Sequence, residues 1–133
     1  MNWPLVVMLS GLGFAMGIGT VSLIPSTVEP AFWLVILAIC AYLIARRAPG
    51  RFFMHGVAVG LVNSVWITGF HLAFFDTYLA HHAQEAAMTA SMPLSDHPRL
   101  LMAVVGPMIG AVTGLVLGIL SAIAARMTRG QIR

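Results

Sequence analysis

The amino-acid sequence predicts an all-α, polytopic membrane protein: four transmembrane helices in one bundle, with both termini in the cytoplasm. Three observations lead there. First, hydrophobic residues make up 59% of the 133-residue chain and charged residues only 8%, against about a quarter charged in soluble domains. A soluble fold of this size has too little interior to hide so much apolar surface. Second, the apolar residues fall into four runs, most of them near the ~20 residues that a helix needs to cross ~30 Å of hydrocarbon. Third, the charges segregate by loop.

The first run covers residues 3–24, from Trp3 to the stop at Pro25. It has no preceding Lys or Arg and no small-residue cleavage pattern after it, so it reads as a retained span rather than a signal peptide. The second covers residues 31–45, opening after Pro30, a residue suited to a first helical turn. It is short, and Arg46 and Arg47 complete it by snorkelling. The third covers residues 52–75 and the fourth residues 100–125. The intervening segment, residues 76–99, is expected to be an outer loop, partly helical.

Arg46, Arg47 and Arg51 lie between spans two and three, and Arg126, Arg129 and Arg133 follow span four. Basic loops stay inside. Glu29, Asp76, Glu85 and Asp96 all fall on the other side, and only Arg99 breaks the rule. The expected location is a bacterial inner membrane, with the lipid bilayer as the principal partner. The basic residues are all Arg, set in two short clusters, which is a topology signal and not a nucleic-acid footprint. Cys40 is the lone cysteine, so neither an intrachain disulfide nor a CxxC pair exists.

Glycine recurs every fourth residue in the last span: Gly106, Gly110, Gly114 and Gly118, with Ala122 continuing the row. Glycine is a poor helix residue in water. In lipid, where apolar burial gives little, small residues let helix backbones approach closely. Span one carries Gly11, Ala15 and Gly19, with Gly13 and Gly17 beside them; span three carries Gly56, Gly60, Ser64 and Thr68. Internal packing is the plainer reading of these seams. A homo-oligomer or larger membrane complex is the sharper one, because two seams pairing within the chain leave a third for a neighbour. Pro107 should kink span four by freeing the carbonyl of Ala103.

Span three is the informative helix. Gly60, Ser64, Thr68, His71, Phe75, Tyr78, His82 and Glu85 share one face at helical spacing. With no Pro or Gly after Phe70, the helix is expected to run on to about Ala87. Polar groups at membrane depth are candidate function, so Asn63, Ser64, Thr68 and His71 form a candidate polar path. Interhelical hydrogen bonding is the plainer reading of each. His81, His82 and Glu85 suit a divalent metal, although two ligands in one turn fall short of the three or four a zinc site takes. A wet helix surface accounts for them as well. No other cofactor is expected.

Several chemistries are excluded. No span contains the Asp or Glu of a proton-coupled exporter, no cysteine pair serves a thiol-based quinone reductase, and five histidines are too few for a membrane di-iron enzyme. Residues 45–128 resemble, by layout, a family of small bacterial inner-membrane proteins grouped as a domain of unknown function. The shared features are the basic turn ARRAPGRFFMHGVAVG, the aromatic exit FHLAFFDTYL, a helical outer segment with Met and Glu, and a glycine-containing last helix closing on SAIAAR. The resemblance implies four spans and no assigned activity, so it supplies no site residues. The sequence alone favours a structural or accessory subunit or homo-oligomer without catalysis. The alternatives are a small oligomeric channel or transporter using the polar path, or an outer-surface metal binder.

Overall fold

The computed structural model of the chain describes residues 1–130. Arg133 lies outside the described residues, as does the side chain of Arg129. The described residues form α1 (Trp3–Ser22), α2 (Glu29–Arg47), α3 (Phe52–Ala73), α4 (Phe75–His81), α5 (Ala83–Ser91) and α6 (Pro98–Gly130), and contain no strand. Four of these, α1, α2, α3 and α6, are long and apolar enough to cross a membrane.

Local chemistry sets the ends. The Asn2 side chain accepts from the Leu5 N–H at 3.2 Å, capping α1. Pro30 sits in the first turn of α2, and Arg46 and Arg47 close it. Ala48 is extended at φ −75°, ψ 137°, as the residue before Pro49 should be. Arg51 then turns the chain in a left-handed conformation (φ 50°, ψ 43°) at the start of α3. The helix expected to continue to Ala87 is broken at Phe74 and at His82. At His82 the hydrogen bonds rearrange. The ring Nδ1–H donates to the Tyr78 carbonyl at 2.9 Å, the acceptor that the His82 backbone N–H would use in a continuous helix. That N–H turns instead to the Leu79 carbonyl at 3.3 Å. α6, by contrast, stays helical through Pro107.

α3 is the central helix, with its most extensive contact on α6 and the next on α1. The α3–α6 contact is antiparallel and keeps one register throughout. A Cβ on Gly56 would run into the backbone of Gly118, and one on Gly60 into the backbone of Gly114. Farther along, the Ser64 side chain lies on Gly110 and the Thr68 side chain on Gly106. The two small-residue rows therefore mate with each other inside one chain. α1 runs parallel to α3 and meets it through other glycines than Gly11 and Gly19. Asn63 fills the place of a side chain on Gly13, and a Cβ on Gly17 would sit 2.8 Å from the Phe70 ring. Gly11 has nothing within 4 Å, and a Cβ on Gly19 would touch only Ile24, from the turn that follows.

The packed core occupies one half of this assembly. Leu5, Val6 and Leu9 of α1, Cys40 and Ile44 of α2, Val59 of α3 and Leu117 of α6 are buried together. All lie toward the end that carries Asn2, Arg51 and Ala125. There the Asn2 N–H donates to His55 Nε2 at 2.9 Å, tying the head of α1 to α3.

Gly60→Ala should force α3 from α6 and lower stability by about 1–3 kcal/mol, the usual range for overpacking. Gly11→Ala should leave stability unchanged or raise it by up to ~1 kcal/mol. Thermal unfolding of both variants in one detergent checks the contrast.

Candidate functional site

The other half of the assembly is hollow. A cavity of about 410 Å³ lies between α2, α3 and α6, with α4 and α5 at its far end. Small-molecule pockets run roughly 300–1,000 Å³. Along the α3–α6 seam backbone meets backbone at Gly56 and Gly60, whereas at Ser64 and Thr68, on the cavity wall, a side chain stands between the helices.

One face of the cavity is the stripe read from the sequence. Gly60, Ser64, Thr68, His71, Tyr78 and Glu85 of that stripe line it, with Asn63 from beside the stripe, whereas Phe75 and His82 do not. Ser64 donates to the Leu61 carbonyl at 2.7 Å, and across the cavity Thr113 donates to the Ile109 carbonyl at 2.9 Å. His71 is held by α1. Thr20 donates its hydroxyl proton to the Met16 carbonyl at 2.7 Å, so at 2.8 Å it accepts from His71 Nε2–H. His71 Nδ1 is then a lone-pair acceptor. The imidazole stacks on Tyr78, ring centroids 4.0 Å apart, and Tyr78 stacks on His82 at 4.2 Å.

The sequence reading missed the second wall. Glu29 and Trp33 of α2 line the cavity, and the Trp33 indole N–H donates to Glu29 Oε1 at 3.1 Å. Their spacing of four residues beside Pro30 is the only local signal. Met88, Thr89 and Met92 close the far end from α5 and the segment after it, and Val105 and Ile109 face them from α6. Glu85 Oε2 is buried without a hydrogen-bond partner, as is His82 Nε2. His82 is 1% exposed, and with Nδ1–H given to Tyr78 its Nε2 is an acceptor. Asn63 Oδ1 is likewise unpartnered, packed on Gly13.

The metal candidates do not gather. His81 is exposed, its Nδ1–H given to the Thr77 carbonyl at 2.8 Å, while its neighbour His82 is buried. Among the described residues no three His, Cys, Asp or Glu side chains are grouped to hold an ion. Arg99, in the first turn of α6, reaches Asp76 at 3.8 Å and lies over the Phe75 ring at 4.9 Å. It takes no part in the cavity wall.

Tyr78 reports the electrostatics at the cavity's far end. Burial, then the carboxylates of Glu85 and Glu29, push its hydroxyl up to about 12. An unfolded tyrosine ionises near pH 10, so the folded state loses stability as pH rises from about 10 to about 12. Spectrophotometric titration should show one phenolate appearing near pH 12, and Tyr78→Phe should remove both that phase and the alkaline loss of stability.

Comparison with known proteins supplies no family: no family model, no curated protein and no solved structure matches this chain.

Proposed function

We propose that the chain is a membrane-embedded binding protein for a small molecule, acting as a small transporter or as its binding subunit. One observation carries this reading: a ligand-sized cavity within the helices, lined on one side by polar groups of α3 and on the others by apolar and aromatic side chains. That composition, apolar walls with a few convergent polar groups, is the usual make-up of a binding site. A purely structural role gives no reason for a hollow of this size beside buried polar atoms without partners. The glycine row of α6 is already occupied by α3 of the same chain, so that seam is not free for a second copy.

The reading includes a four-helix bundle with both ends cytoplasmic. Its support is the charge pattern: Arg46, Arg47, Arg51 and Arg126 stand at the core-filled end, and Glu29, Asp76, Glu85 and Asp96 at the cavity end. The cavity then faces the outer half of the bilayer. Single cysteines placed at Thr128 and at Asp96 in a Cys40→Ala background test this. Membrane-impermeant thiol reagent added to intact cells should label only the Asp96 position, and labelling at Thr128 reverses the orientation.

Binding is tested with a panel of small aromatic cations, anions and neutral solutes on the purified protein in nanodiscs. At least one class should raise the unfolding temperature. Val105→Phe, which fills the cavity, should abolish the rise while the variant remains folded. No rise with any class defeats the proposed function.

A further inference from the structure

The proposed function leaves the ligand open, and the cavity wall narrows its chemistry. Two carboxylates, Glu29 and Glu85, line it, and no Arg does. The outer segment's Arg99 is engaged with Asp76 instead, so nothing on the cavity wall balances the two acids. Both line the cavity together with Tyr78, Glu29 from the first turn of α2 and Glu85 from α5. Glu29 has a single neutral donor, the Trp33 indole. Glu85 Oε2 has none and is buried. A buried carboxylate oxygen without a donor is costly, and water or a ligand donor must meet it.

The other polar groups point the same way. His71, the imidazole on the cavity wall, has its Nε2–H committed to Thr20 and is left with Nδ1 as an acceptor and no free donor. The far end of the cavity therefore offers acceptors, two carboxylates and the indole of Trp33, an aromatic ring of the kind that attracts cations; both faces of Tyr78 are taken by His71 and His82. Deeper in, Leu37, Ile67 and Leu117 make an apolar floor.

We propose that the cavity takes an amphipathic organic cation of the arylalkylammonium class, its N–H donors between Glu29 and Glu85 and its apolar part toward Leu37 and Leu117. This rests on the proposed binding function and adds the ligand's charge and orientation. A bare metal ion fits poorly, because the acids have no third protein ligand grouped with them among the described residues. An anion meets two like charges and no cation.

Calorimetric titration of the full chain in nanodiscs with phenethylammonium, 3-phenylpropionate and 3-phenylpropanol tests the assignment. Phenethylammonium should bind most tightly, the alcohol weakly, and the carboxylate not at all. Glu85→Gln and Glu29→Gln keep side-chain shape and should each weaken phenethylammonium by about tenfold to a hundredfold, the range for a lost charge-assisted contact. Arg99→Gln, outside the wall, should leave affinity unchanged. Tightest binding by the alcohol or the carboxylate, blocked by Val105→Phe, overturns the cation assignment and leaves the binding function standing. Unchanged affinity in both folded Glu→Gln variants also overturns the assignment. No binding by any of the three overturns it too, and the wider panel then decides whether the cavity binds anything.

Discussion

The contact of α3 with α6 governs the rest of the molecule. Inside hydrocarbon, apolar side chains gain little by leaving lipid for protein, so helices cohere through close van der Waals contact. This chain makes that contact by pairing Gly56 with Gly118 and Gly60 with Gly114, then Ser64 with Gly110 and Thr68 with Gly106. Every fourth residue on one helix meets every fourth on the other. The pairing places α3 at the centre, and α1 and α2 pack around what it has fixed.

The same register sets what flanks each part of the seam. Near the glycine pairs, Val59, Ile44 and Leu117 are buried together. Where serine and threonine replace glycine on α3, side chains enter the interface and polar groups appear beside it. Those groups are held by local carbonyls, as with Ser64 and Thr113, or by a neighbouring helix, as with His71 and Thr20. Glu85 Oε2 and His82 Nε2 remain unsatisfied by protein, and they lie at the end where α4 and α5 cover the gap.

The sequence carried the four long helices and both members of the main interface, because hydropathy and the four-residue repeat are local signals. It also carried the polar face from Gly60 to Glu85. The choice of glycines on α1 was not legible. Gly11 and Gly19 form one row and Gly13 and Gly17 another, and only the bulk of Asn63 and Phe70 on α3 decides between them. Glu29 read as a loop acid because its approach to Tyr78 depends on where α2 comes to rest against α6. The break at His82, where the ring meets the Tyr78 carbonyl and the backbone N–H turns to Leu79, leaves no mark in the periodicity.

A toothed interface also limits how the protein can move. Four residues of helix advance about 6 Å, so α3 and α6 can slide only by a whole tooth. One such slip in the direction that brings Ser64 onto Gly114 would wedge a hydroxymethyl group into the tightest contact. Small sliding motions are therefore disfavoured, and rocking about Gly60 and Gly114 is limited as well: parting the far ends would drive the near ends together, where Gly56 already meets the Gly118 backbone. The wall that α3 and α6 give the hollow half is thus held by a stop at its opposite end.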